Sequence, residues 1–186
     1  MFGFGGLTMY DKAKKIYECA QMQARKLCDS SGPVARIPES CFFLSKHDAE
    51  ACTLVSLVHA FRGCKCIPLA YDPNGGPHIK MMNDIMLQVV KLAYQDYGGK
   101  EIDNAWNSCA MATRSDQEQM SAQQMFGRLT PENWSFVHLT YTINWLFFAI
   151  NGFENCYLQN EISEMATSLI SEYKVFIDNL SHKIMV

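Results

Sequence analysis

Two histidines and two cysteines, His59, Cys64, Cys66 and His78, share one short stretch of the chain and come nearest to a metal-ligating pattern. Zinc takes tetrahedral sets of thiolate and imidazole, but its usual knuckle has two residues between the cysteines. Cys64-Lys65-Cys66 has one. The plainer reading, ordinary loop thiols, therefore stands ahead of a zinc site. A nucleophilic Cys-His pair can be assembled on paper from Cys52 or Cys64 with His59 or His138, but a histidine on an apolar helix is ordinarily a hydrogen-bonded core residue. His47-Asp48-Ala49-Glu50 lacks the Glu-x-x-His order of bundle di-iron sites and reads as a helix start, with Asp48 at the positive end of the dipole. There is no G-x-S-x-G elbow, no Walker A loop and no H-E-x-x-H. Gly3-Phe4-Gly5-Gly6 and Asn74-Gly75-Gly76 read as a tail and a turn, and no cofactor is expected.

Two constellations suit binding better than bond-making chemistry. Residues 63–78 hold three prolines and three glycines, which predicts a long irregular loop that no regular helix crosses. Tyr71, Asp72, Asn74 and His78 on that loop, with Met82 and Met86 after it, form a candidate protein-binding surface. Met81, Met111, Met120 and Met125 add flexible thioethers suited to an adaptable groove. The second constellation is a wall of Trp134, His138, Tyr141, Asn144, Trp145 and Phe148, a candidate pocket for an apolar small molecule with His138 or Asn144 as the orienting polar group.

The elements that must position these residues are all helical. Ala13, Ile16, Tyr17, Ala20, Ala24 and Leu27 make one stripe of a helix over 9–29, with Thr8 as N-cap, Asp11 three residues on, and Ser31-Gly32-Pro33 as the stop. Ser45 with Asp48 opens a second helix that is expected to end at Gly63. Helices over 78–97 and 101–113 follow, then a weaker one over 116–127 with Met120 and the Met125-Phe126 pair turned inward. Thr130-Pro131 is a strong start signal. The 21 residues between Glu132 and Glu154 contain no Asp, Glu, Lys or Arg. Their asparagines, threonines, serine and histidine, and the absence of a flanking basic cluster, argue against a bilayer span. On a helical wheel they show apolar faces on both sides, so 131–150 reads as the buried central helix. The last helix, 155–184, repeats Leu158, Ile162, Met165, Leu169, Phe176, Leu180 and Ile184 in the steps of a bundle seam.

The expected architecture is therefore all-α: a single-domain bundle of about seven helices over 8–186, after a flexible tail over 1–7. The chain has 186 residues, 48% hydrophobic and 19% charged, which excludes general disorder. Its net charge of −3 builds in no attraction to nucleic acid or anionic membrane. Residues 1–91 carry 11 basic and 8 acidic groups, a balance of +3, and residues 92–186 carry 5 and 11, a balance of −6, so the halves attract. Eight cysteines spread through a chain with ample core material are not a disulfide scaffold, and no signal peptide is visible, which points to a reducing cytosol. The leading functional expectation is a non-enzymatic module binding another protein as an inhibitor, adaptor or immunity-type partner, itself a monomer or weak homodimer. The apolar pocket is second, and a Cys/His enzyme or zinc site third.

Overall fold

The computed structural model describes residues 6–36, 45–69, 72–112, 114, 120, 123–128, 130–151 and 159–184. The elements are α1 (Met9–Cys28), a 3-10 turn (Val34–Arg36), α2 (Lys46–Leu69), α3 (Gly76–Tyr97), α4 (Gly99–Ala112), α5 (Pro131–Asn151) and α6 (Gln159–Ile184). No strand occurs among the described residues. Of the expected helix over 116–127, residues 120 and 123–126 are helical and most of the rest lies outside the described residues, as do residues 1–5 of the expected tail.

Local hydrogen bonds fix where the helices begin. At α1 the Thr8 N–H donates to Asp11 Oδ2 and the Asp11 N–H to Thr8 Oγ1, both at 3.1 Å. At α2 the Ser45 N–H donates to Asp48 Oδ2 at 3.3 Å and the Asp48 N–H to Ser45 Oγ at 3.2 Å. At α5 the Asn133 N–H donates to Thr130 Oγ1 at 3.2 Å. Gly98 closes α3 at φ +93°, a conformation that glycine adopts without strain, and its N–H returns to the Tyr94 carbonyl at 3.2 Å.

Two expectations are corrected. The irregular loop is shorter than 63–78, because α2 runs on through Gly63, Cys64, Lys65, Cys66, Ile67 and Pro68 to Leu69. Pro68 lacks a backbone donor only in the last turn, where one hydrogen bond is lost and the helix stops a residue later. The chain then reverses: the Asp72 N–H reaches Leu69 O at 3.1 Å, the Asn74 N–H reaches Asp72 Oδ1 at 2.9 Å, and Pro77 sits in the first turn of α3. The most enclosed helix is α2 rather than 131–150. Every residue from Ala51 to Phe61 is buried, and α2 packs on α1, α3, α4, α5 and α6. Its small polar residues fit there because they bond close by: Thr53 Oγ1 donates to Ala49 O at 2.7 Å, and Ser56 Oγ pairs with the Tyr173 hydroxyl. α5 is interior as well, with Val137, Leu139, Ile143, Trp145, Leu146, Phe147 and Ile150 buried.

One continuous core joins all six helices. Along α6, Leu169, Tyr173, Phe176, Ile177, Leu180 and Ile184 are buried in the chain's own bundle; Leu158 and the Ile162 side chain lie outside what is described. The opposed charge of the two halves is realised at this seam, where Glu172 takes Lys26 Nζ at 3.5 Å and Gln23 Nε2 at 3.2 Å. Combining Leu169→Ala with Phe176→Ala is expected to lower unfolding free energy by about 5 kcal/mol or more, since each leaves a cavity in a packed core. Urea unfolding at several protein concentrations checks this. Separation of a dimer into folded monomers would contradict it.

Candidate functional site

The structure spreads the chemically suggestive residues apart. His59 is buried against α4, Cys64 and Cys66 are half-buried on the last turns of α2, and His78 is exposed at the start of α3. Among the described residues no three His, Cys, Asp or Glu side chains converge as a metal set would require. The six described cysteines are free thiols; burial pushes Cys28 up to about 11 and Cys52 up to about 12, so neither is an activated nucleophile. Of the loop-centred binding surface, Asp72, Asn74 and His78 are exposed and Tyr71 lies outside the described residues. Met82 and Met86 are core residues, so they offer nothing to a partner. That is a correction, and its cause is the period of α3: Met82, Ile85, Met86 and Val89 make one buried face.

The expected pocket wall on α5 is divided as well. Trp145 and His138 are buried, Trp134 and Tyr141 half-buried, Asn144 exposed, and the Phe148 side chain lies outside what is described. His138 does something the sequence reading missed. A Cβ placed on Gly63 would lie 1.8 Å from His138 Nε2, so the imidazole fills the space a side chain would take on α2. At 3.2 Å the same Nε2 meets the carbonyl of His59, the residue one turn back. A carbonyl only accepts, so Nε2 carries the proton and donates. Glycine inside a helix here means close approach of another chain segment, not a helix end.

Beside this crossing, the His59 ring sits 4.8 Å from the Trp106 ring, and neither of its nitrogens has a hydrogen-bond partner among the described residues. Burial, aided by His138 and Arg62, pushes His59 down to about 3, so it is neutral in the folded chain. The indole N–H groups of Trp134 and Trp145 are also buried, with no acceptor among the described residues.

The surface is more distinctive than the interior. A cleft of about 410 Å³ opens between the end of α2, the start of α5 and α6. Phe136, Leu139 and Ile177 are its apolar lining, and Lys65, Glu132, Lys174 and Asp178 are its charges. Phe136 and Phe126 meet edge to face, with centroids 6.2 Å apart at 84°, and Lys174 Nζ stands 5.7 Å from the Phe136 centroid. Phe126 and Phe136 are 41% and 37% exposed, and Met125 beside them 60%. The expected inward turn of the Met125-Phe126 pair is thus reversed. Phe136 was legible in principle, because it lies four residues from both Glu132 and Thr140, an aromatic ring on an otherwise polar strip of α5. The chain matches no known family model, curated protein or solved structure.

Two measurements test the α2–α5 crossing. Gly63→Ala is expected to cost about 2 kcal/mol or more by overpacking against a buried ring. In a His138→Ala background the same change is expected to be neutral or slightly stabilising, since alanine favours the helix. The second concerns pH. An unfolded histidine titrates near 6.5 while folded His59 stays neutral to about 3, so the unfolded state binds the extra proton between those values. Stability attributable to His59 is full above that window and falls with pH through it, by about 1.4 kcal/mol per pH unit. Chemical unfolding from pH 7 to 4 is expected to show this slope, and His59→Leu to remove it.

Proposed function

We propose that the chain is a non-enzymatic helical module that binds another protein, as an inhibitor, adaptor or immunity-type partner, in a reducing cytosol. The observation that supports this most is the Phe126–Phe136 pair, partly exposed at the lip of a cleft. Two partly exposed aromatic rings in contact, with Met125 beside them and mixed charges around an apolar lining, form the kind of surface that carries most of the energy of a protein interface. An amphipathic helix of the partner suits it: one apolar residue enters against Leu139 and Ile177, and polar residues meet Lys65, Glu132, Lys174 and Asp178. No described helix is long and apolar enough to cross a membrane, which agrees with a partner met in solution.

The apolar small-molecule reading has one observation behind it, the two buried indole N–H groups without acceptors among the described residues. Against it, Trp145 and His138 are packed among core residues, and neither cleft described is walled by the set proposed for it.

The test compares partly exposed and exposed positions outside the continuous core. Phe126→Ala and Phe136→Ala are each expected to cost about 1–2 kcal/mol from lost burial and the lost ring pair while leaving the chain folded, yet to weaken a stoichiometric partner purified from the native host by about thirtyfold. Leu87→Ala, on α3 and 61% exposed, is expected to leave binding unchanged. Equal binding by all three variants, or turnover of a small substrate by the partner-free chain, would contradict the proposal.

A further inference from the structure

A second cleft, about 520 Å³, lies where the end of α1 meets the start of α2, and shares no lining residue with the Phe136 cleft. Its charged lining is Arg25, Lys26, Lys46, Asp29 and Glu50, with the His47 ring beside them. Both carboxylates are already engaged. Glu50 accepts from the Tyr97 hydroxyl and, at 3.1 Å, from Arg25 Nε; Asp29 Oδ1 accepts the Ser30 N–H at 2.7 Å. Arg25 thereby commits its Nε edge to Glu50 and a further N–H to the Tyr97 hydroxyl; of its five N–H donors the others, on a side chain 62% exposed, can meet a second acceptor. Lys26 Nζ is 3.5 Å from Glu172, an exposed pair that stabilises little, so the ammonium turns to a stronger anion at small cost. His47 stacks on Tyr97 with centroids 5.0 Å apart at 30°, and Tyr97 is held in turn by Glu50 and, at 3.5 Å, by Gln21 Nε2. The cleft thus combines cations from two helices with a braced aromatic wall.

We propose that this cleft binds a small phosphate monoester. Its phosphate would be held by Arg25 and Lys26 from α1 and by Lys46 from α2, and its organic part would lie against the His47 ring. A planar carboxylate is satisfied by one guanidinium fork and carries a single charge. A tetrahedral dianion with three terminal oxygens makes use of cations approaching from two helices. The volume is in the ordinary range for small-ligand sites. This inference stands apart from the protein-binding reading, because it uses a different face of the molecule.

Phenyl phosphate is the probe and benzoate its carboxylate counterpart, with binding followed by backbone amide shifts at low ionic strength. Phenyl phosphate is expected to give saturable shifts confined to residues 25–29 and 46–50, and benzoate to bind at least about tenfold more weakly. Arg25→Gln removes a charged hydrogen-bond donor and is expected to weaken phenyl phosphate about ten- to a hundredfold. Lys26→Gln, which leaves the Arg25–Glu50 pair alone, is expected to weaken it in the same direction, and Lys100→Gln, on the exposed side of α4, to leave it unchanged. Shifts that stay linear in probe concentration would overturn the proposal. So would equal weakening by Lys26→Gln and Lys100→Gln, or benzoate binding as tightly as phenyl phosphate.

Discussion

The crossing of α2 and α5 at Gly63 sets the geometry that the other helices accommodate. Two interior helices normally keep a side-chain layer between them; here one member of that layer is missing and an imidazole takes its place, bonded to the His59 carbonyl. Close approach at this point explains why α2 does not end where its glycine, two cysteines and proline suggest. The helix is held by its neighbour through the last turns, and the weak formers are carried along by tertiary packing. It also explains where His59 goes. With its carbonyl committed to His138, the His59 ring packs on Trp106 of α4, tying a third helix to the same point at the expense of two nitrogens unpaired among the described residues.

Around this node the bundle alternates dry packing with polar strips. α2 buries Thr53, Ser56 and His59, and α5 buries His138 and Thr142. The hydroxyls are accounted for within a few ångströms: Thr142 Oγ1 donates to His138 O at 2.9 Å, Thr53 Oγ1 to Ala49 O, and Ser56 pairs with Tyr173 of α6. Between α1 and α3 a different solution appears. Tyr17 bonds Asp96, Gln21 reaches Tyr17 and Asp96, and Tyr97 bonds Glu50, so phenols and carboxylates share the boundary of core and solvent. Burial and the neighbouring carboxylate raise Tyr97 to about 12, which keeps it a neutral donor toward Glu50 throughout the physiological range. A carboxylate so occupied contributes less negative potential to the cleft it borders, and there the basic residues of the first half of the chain predominate.

What the sequence made legible follows from the range of each interaction. The three helix starts are readable because each depends on near neighbours: Thr8 with Asp11 and Ser45 with Asp48, three residues apart, and Thr130 with Pro131 directly after it. The α1 stripe and the α6 seam were readable because a face of a helix repeats in sequence. Gly63 was misread because its meaning depends on His138, 75 positions away, and nothing local separates a glycine that ends a helix from one that admits a neighbour. Residues 131–150 read as the centre because their helical wheel is apolar on both sides; yet α2 is buried on every side from Ala51 to Phe61, and only the packing shows that it has the larger number of neighbouring helices. Phe126 and Met125 were turned inward on the premise that apolar residues of a helix seek the core, which holds only where the core has a place for them.

That last misreading bears on the functional surface. The outer strip of α5 runs Glu132, Phe136, Thr140 and Asn144, and Thr140 spends its hydroxyl on the Phe136 carbonyl at 2.9 Å, one turn back on its own helix. The main core lies on the other sides of α5, and the ring contacts of Phe136 are with Phe126 and Lys174, both at the surface. Partly exposed aromatic rings add less to stability than buried ones and present apolar area to other molecules in solution. The parts that hold the bundle together, Gly63 with His138 and Ser56 with Tyr173, lie inside it. Stability and this surface are therefore separable, and a substitution at Phe136 reports on what the surface meets rather than on whether the bundle folds.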